Sequence, residues 1–590
     1  MAVTASLAAS LGLPREMLGA ALAAPATPSP VPSTLQATVL QLTQGNRSYR
    51  TLVEGPGEPY AVRNDLISSD PSPARAAARR SIVYIGHTSD IHIVDAQSPA
   101  RLEPVSDFDP AFVPGNFRPQ ETLTVQVQAA MVQALSDVAT SPLTGAPMAA
   151  ILNTGDNADA LSSKELRWYI DVMDGTPVTP DSGKPGEYEG VQAWPEAQYA
   201  YHPDDPTNDP FGAYGFPRIP GMLTAAVSQE VKSPGTPAPW FTVYGNHDTL
   251  FNGAFGTDES LRNLATGGVK PYAFDALTAD YFRGMARDTT PLTRGLNNFR
   301  QQFGFQSGFK RVTPDTGRKL LQSKDFMTAH FQTTDRPGPV GHGFTQKNLD
   351  TGATYWSSDI SPHLRVFGLD TCNMVVGADG AVPKDQFEWL EAGLQQALQE
   401  KKLAMILSHH NSLTLENSAQ NVLVPGQPLI HTEEFIDMLL NYRNMIAWLN
   451  GHTHINTIQA HPAKIGAGGF WEITTASCID YPQQSQVVEV VDNRDGTISL
   501  FSTVLDHASP PVWTPGDFSQ KGLASLSRQL AANDWVEDPM MRRGSGMDRN
   551  VEMLMNAPFD MSAITDADLA KATAVAKATI IANGAGGVAP

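Results

Sequence analysis

The sequence predicts an α/β fold. Short apolar runs of strand length alternate with amphipathic segments, a late segment holds β-type runs around "NRDG", and 590 residues with 41% apolar content suffice for a large interior. One large domain with insertions and two separate domains both fit that length.

In chain order, the candidate strands are "SIVYIG" (81–86), "MAAILNTG" (148–155), "WFTVYG" (240–245), "LRVFGLD" (364–370), "LAMILS" (403–408) and "NMIAWLNG" (444–451). Each ends beside a polar cluster. Candidate helices lie at 120–139, 162–175 and 383–402, the last with a proline near its start and apolar residues at helical spacing. The stretch 469–507 reads as antiparallel strands with a turn at 493–496, and so as a second sheet or sheet half. Two long stretches, 176–221 and 249–362, read as insertions between strands, the usual place for lids, binding loops or small subdomains. No internal repeat is evident.

The charge balance is 41 basic against 61 acidic residues, or −20, which argues against a polyanion-wrapping surface and so against general nucleic-acid binding. Two cysteines, Cys372 and Cys478, are too few for a disulfide scaffold or a thiolate zinc cluster, and either buried thiols or one bridge fits them. Residues 1–36 combine a small-residue apolar stretch, an "ALAAPA" cleavage-like site and a Pro/Ser/Thr linker, which reads as an export signal, although no basic region precedes it; a disordered Ala-rich tail is the other reading. Export makes the protein secreted or extracytoplasmic, and a disordered tail leaves it cytoplasmic. No later segment reaches the roughly 18 apolar residues of a membrane span.

The chemistry concentrates at the strand ends. "TSDIHIVD" carries Asp90 and His92, "NTGDNAD" carries Asp156, "VYGNHD" carries Asn246, His247 and Asp248, "LSHHN" carries His409 and His410, and "NGHTHIN" carries His452 and His454. Taken singly, each is an ordinary turn, helix cap or core histidine. Together they hold six of the chain's 14 histidines, each directly after an apolar run, where α/β sheets assemble ligand sites. Carboxylate, imidazole and amide oxygen without thiolate suit zinc, manganese or iron. A carboxylate can also bridge two ions about 3.5 to 4 Å apart, a spacing suited to in-line phosphoryl displacement.

The ordered blocks D-x-H, G-D-x-x-D, G-N-H-D, H and G-H-x-H resemble the calcineurin-like metallophosphoesterase superfamily over roughly residues 80–505. The segments "VFGLDTCN" and "QFEWLEAGLQQAL" and the β-rich close also look like that family, and the export-like start and large insertions resemble its bacterial exported members. The resemblance implies a four-layer α/β/β/α sandwich of two facing mixed sheets. It places one metal on Asp90, His92, Asp156 and His454 and a second on Asp156, Asn246, His409 and His452, with Asp156 shared. The implied reaction is phosphoester hydrolysis by a hydroxide bridging two ions of Mn, Fe or Zn, on the diester side. A monoesterase or nucleotide/diphosphate hydrolase is the alternative, and a non-catalytic metal-binding scaffold a remote one. His247 would protonate the leaving oxygen or stabilise the phosphoryl charge, with Asp248 orienting and charging its ring or else serving as a turn cap. The expected partner is a small-molecule phosphoester.

Purple acid phosphatases of the superfamily carry a tyrosine where Asp159 stands and lack the histidine at position 92, so a tyrosinate-iron site is not expected; Asp159 reads as a turn or helix cap. The aromatics of 187–221 fit either a wall for substrate or a self-packed loop, and His342 reads as a structural or exposed residue. The expected organisation is thus a signal-like segment and linker (1–36), an N-terminal extension (37–79), the metallophosphoesterase domain (80–507) and a partly helical C-terminal extension (508–590).

Overall fold

The computed structural model describes residues 33–582, apart from 69–70, 108–114, 255, 258, 275–307, 334–336, 374–376, 416–428, 467 and 537–538. Residues 1–32 of the export-like segment therefore lie outside the described residues.

Two mixed sheets form the centre. A seven-stranded sheet runs in the order Ala61–Leu66, Val551–Asn556, Thr497–Asp506, Gln484–Asp492, Arg80–Thr88, Ala150–Asn153, Trp240–Thr242. A six-stranded sheet runs Thr457–Pro462, Gly469–Thr474, Met445–Asn450, Leu403–Leu407, Leu364–Gly368, Trp356–Ser361. Arg80–Thr88, Ala150–Asn153 and Trp240–Thr242 are mutually parallel, as are Leu364–Gly368, Leu403–Leu407 and Met445–Asn450. Their C-terminal ends therefore collect along one edge of each sheet, where loops can meet.

One core joins the sheets: Val83, Ile85 and Ile151 from the seven-stranded sheet with Met405, Leu407 and Leu449 from the six-stranded one, all fully or nearly fully buried. The same cluster takes in Val125, Met131 and Leu135 of helix Thr124–Asp137 and Leu166 and Ile170 of helix Ser163–Asp174, which form an outer layer. Ser162 caps the second of these in a capping box with Glu165, as a serine three residues before a glutamate should. Beyond the six-stranded sheet, Leu390 and Leu394 of helix Lys384–Gln399 and Phe435 of helix Thr432–Leu440 bury Trp448 and Phe470. The layers are thus helix, sheet, sheet, helix.

The strands read from apolar runs are all present; five end earlier than read, 150–153 against 148–155 for example, because their polar tails turn away as site loops, while the first runs on to Thr88, past 86. The segment 469–507 divides between the sheets: Gly469–Thr474 joins the six-stranded one, and Gln484–Asp492 pairs antiparallel with Thr497–Asp506 in the other across the 493–496 turn. Ala61–Leu66 and Val551–Asn556, from outside 80–507, complete the edge of the seven-stranded sheet.

In 187–221, Tyr201, Phe211 and Phe216 are buried against Tyr49, which begins the second strand of an antiparallel pair (Ala37–Asn46 with Tyr49–Pro56), and against Leu523 and Leu526 of helix Gln520–Ala531. The aromatics pack on their own surroundings, which is the self-packed alternative. His342 is buried, its ring stacked on Trp240 with centroids 3.4 Å apart. Cys372 and Cys478 are both free thiols, so no bridge joins them. Among the described residues, no helix is long and apolar enough to cross a membrane.

Candidate metal centre

Backbone pairing fixes the first two loops to each other. The amides of Asp90, His92 and Ile93 donate to the carbonyls of Gly155, Asp156 and Asn157 at 2.9–3.0 Å. Asp90, His92, Asp156, His452 and His454 all adopt left-handed φ, between 46° and 68°, a region that residues other than glycine seldom enter. Such strain persists where the surroundings over-determine it, and here it falls on five of the seven expected ligands. The sharp turns aim successive side chains inward from the strand ends.

Six of the seven expected ligands, Asp90, His92, Asp156, His409, His452 and His454, come together. Asp156 Oδ2 stands between two imidazoles, 3.4 Å from His92 Nε2 and 3.2 Å from His409 Nε2. Asp90 Oδ1 lies 3.1 Å from His454 Nε2 and 3.9 Å from the Nε2 atoms of both His92 and His409. His92 Nε2 and His454 Nε2 are 3.2 Å apart, as are His409 Nε2 and His452 Nδ1. Two sets, Asp90 with His92 and His454, and Asp90 with Asp156 and His409, each place their donor atoms within 4.8 Å of one another. Asn246 is the seventh expected ligand. Its Nδ2 donates to Gly253 O at 2.9 Å, while its buried Oδ1 has no hydrogen-bond partner. An orphaned amide oxygen costs about 1–3 kcal/mol and fits a cation ligand, and the oxygen and nitrogen donor set fits a hard or borderline divalent metal.

The ring nitrogens turned away from the centre are also committed, which fixes which nitrogen faces it. His409 donates Nδ1–H to Thr154 O at 2.8 Å, His92 to Asp159 Oδ1 at 3.0 Å and His454 to Asp480 Oδ2 at 2.6 Å. His410 differs. Although its nitrogens come within 4.8 Å of those of His409 and His452, Nδ1 accepts from the Thr371 hydroxyl at 2.8 Å and Nε2–H donates to Ala378 O at 2.9 Å, so it is a packing residue.

Two expectations need correction. Asp248 does not orient the His247 ring: its carboxylate accepts the backbone N–H groups of Gly245, Asn157 and Ala158 and the Asn157 amide, at 2.9–3.2 Å, and so ties two loops together. His247 instead donates Nδ1–H to Asp159 O at 2.6 Å. Asp159 is more than a cap, since it is fully buried and holds both His92, through its side chain, and His247, through its carbonyl.

The electrostatics follow from burial and these neighbours. Burial opposes charge on Asp90 and Asp156, but His454 and His409 respectively outweigh it and hold both carboxyls well below the usual range. Burial likewise opposes the His409 imidazolium, yet Asp156 and Asp90 raise it to about 9. His452 goes the other way, lowered to about 3 by burial and the neighbouring His409, and burial lowers His247 to about 4 despite Asp156. Loops of two facing sheets thus present two buried carboxylates and a ring of imidazoles in the block order seen in the sequence.

The chain resembles calcineurin-like metallophosphoesterases in the order of these blocks and is similar over a short stretch to one curated protein. It is 32% identical over 113 residues to the human protein named cyclic GMP-AMP phosphodiesterase SMPDL3A, a match spanning 18% of this chain and only about a quarter (24%) of that relative. A solved zebrafish (Danio rerio) dimetal phosphatase aligns over 72% of this chain and 100% of its own, at 9% identity and a TM-score of 0.32. No family model matches. The sequence blocks account for the expected ligands and His247; Arg118 and Arg101 lie outside them and carry no local sequence signal, and Asp480 lies in the β-rich close with no motif of its own to mark it.

Proposed function

We propose that the protein hydrolyses a phosphoester at a dinuclear metal site, with diesters as its preferred class. The observation that carries this reading is the placement of Asp156 Oδ2 between His92 Nε2 and His409 Nε2, at 3.4 and 3.2 Å. Asp90, His92, Asp156 and His454 would hold one ion and Asp156, Asn246, His409 and His452 the other, with Mn, Fe or Zn suited to these donors. Bound there, two such ions supply positive charge for the phosphoryl oxygens and acidify a nearby water.

The chain's own contribution is orientation and a proton. With Nδ1–H fixed on the Asp159 carbonyl, His247 has Nε2 left to act. A β-carbon on Gly253 would lie 2.3 Å from that nitrogen, so glycine there keeps it open. Burial lowers the ring to about 4, so at neutral pH donation from Nε2 draws on the minor protonated form: as water attacks phosphorus and the bond to the leaving oxygen breaks, that form passes its Nε2 proton to the leaving oxygen and returns to the neutral ring. Burial of the surrounding imidazoles and carboxylates excludes bulk water and strengthens each of these interactions. The diester preference is supported by the phosphodiesterase name of the human relative, and secretion is supported by the composition of residues 1–36.

The test is hydrolysis of a chromogenic phosphodiester and the matching monoester by metal-loaded protein, with Asp156→Asn alongside and metal content read on both. Diester cleavage that vanishes with the variant is expected. Full metal occupancy with neither ester cleaved would sink the enzymatic reading.

A further inference from the structure

The imidazoles of the site are held from behind in two ways. His409 leans on a neutral carbonyl, Thr154 O, whereas His92 and His454 lean on the carboxylates of Asp159 and Asp480. One guanidinium lies against both carboxylates. Arg118, 4% exposed, donates Nε to Asp480 Oδ1 at 2.6 Å and Nη2 to Asp480 Oδ2 at 3.2 Å, and its Nη1 stands 3.7 Å from Asp159 Oδ1. The same Nη1 donates to Gly115 O at 2.8 Å, which anchors the fork in its own loop. This loop precedes helix Thr124–Asp137 and lies outside every ligand block.

We infer that Arg118 is a positioning residue for the metal position of Asp90, His92 and His454, acting chiefly through the Asp480 carboxylate that fixes the His454 ring; this rests on the dinuclear reading above. A forked pair of hydrogen bonds sets the plane of the carboxylate as well as its place, which a point charge does not do. Asp480 Oδ2 must meet His454 Nδ1–H at 2.6 Å while Arg542 Nη1 draws on the same oxygen from 3.3 Å. The Arg118 fork is what holds the carboxylate to the imidazole against that competition. Its grip on Asp159 is secondary, since Arg101 Nη1 already stands 2.7 Å from Asp159 Oδ2. His409 leans on the Thr154 carbonyl and on neither carboxylate that Arg118 touches, so the second metal position should not respond to Arg118.

The test is Mn²⁺ titration of chelator-stripped protein, with free Mn²⁺ counted by electron paramagnetic resonance, for wild type, Arg118→Met, Arg118→Lys and Asp480→Asn. Wild type should bind two ions. Arg118→Met should weaken one of them about 10- to 100-fold, the range typical of lost outer partners, and leave the other unchanged. Arg118→Lys, which restores the charge without the fork, should fall between them. Asp480→Asn, nearly isosteric, should reproduce the selective loss and serves as the test if Arg118→Met does not fold. Two ions bound by the variants as tightly as by wild type, with only a lower melting temperature, would reduce Arg118 to a structural residue and overturn the inference. Equal weakening of both ions would overturn it too. A wild type that binds no Mn²⁺ would instead bring down the dinuclear reading itself, so the two failures are distinguishable.

Discussion

Gly451 passes so close to Asp90 that a β-carbon on it would lie 2.3 Å from Asp90 Oδ2 and 1.8 Å from Ser89 Oγ. The approach is forced by the next residue, whose amide must reach the Asp90 carboxylate: His452 N donates to Oδ2 at 3.0 Å and to Oδ1 at 3.2 Å. Gly451→Ala should therefore push Asp90 out of line, cost about 1–3 kcal/mol as overpacking does, and release at least one of the two metal ions. Denaturant midpoints and metal content check this. Unchanged occupancy and midpoint would mean that the loops can part without loss.

His247 offers the cleanest separation of chemistry from metal binding. Its ring is anchored on a carbonyl and its amide donates to Asp156 Oδ1 at 2.8 Å, so replacing the ring leaves the amide contact in place. His247→Gln should lower kcat about 10²- to 10⁴-fold, the usual worth of a positioned proton donor, while both ions stay bound. Loss of metal together with turnover would make His247 a ligand, a role its reach to His92 and Asp156 leaves geometrically open.

The ligands were legible because each lies within a few residues of a strand's apolar run, so local pattern and site coincide at Asp90, Asp156, Asn246, His409 and His452. What stands behind them was not. Arg118 and Asp480 are separated by 362 positions, and only the meeting of the loop before the Thr124–Asp137 helix with the segment between the two sheets pairs them. Asp248 was misread as the partner of His247 because it is its neighbour in sequence. On the single helical turn Asn246–Thr249, consecutive side chains point apart, and Asp248 turns back to the amides of Asn157 and Ala158. Asp159 was obscured differently, since a short acid before a helix is the ordinary signature of a cap.

Metal loading should be coupled to protons through His409. Its imidazole is raised to about 9 by Asp156 and Asp90 against the opposing effect of burial, so at neutral pH the stripped protein carries a proton where an ion must bind. Loading at pH 7 should release that proton, and affinity should climb as pH rises towards about 9. The same shift gives the stripped protein a pH-dependent stability. The folded value lies above the ordinary 6.5, so the His409 contribution is fully present below about 6.5 and is lost as pH rises through about 9. Melting temperatures of stripped protein should fall across that window and those of loaded protein should not, because the ion replaces the proton. Calorimetric titration in buffers of different ionisation heat counts the protons, and a count of zero at pH 7 would show that His409 is neutral before metal arrives.

The insertion 187–221 is predicted to act on stability and not on the metal site. Phe211 sits in the aromatic cluster with Tyr201, Phe216 and Trp535, at ring separations of 5.7, 5.0 and 4.6 Å, and is 4% exposed. Truncating a buried phenylalanine costs about 3–5 kcal/mol, part transfer and part cavity. Phe211→Ala should therefore lower the unfolding free energy by that amount while metal stoichiometry and KM for a small diester stay unchanged at temperatures below the transition. The discriminating quantity is KM: a rise of tenfold or more with stability nearly intact would mean that these rings face the substrate, and the packed arrangement of Tyr201, Phe211 and Phe216 would then have to open during turnover.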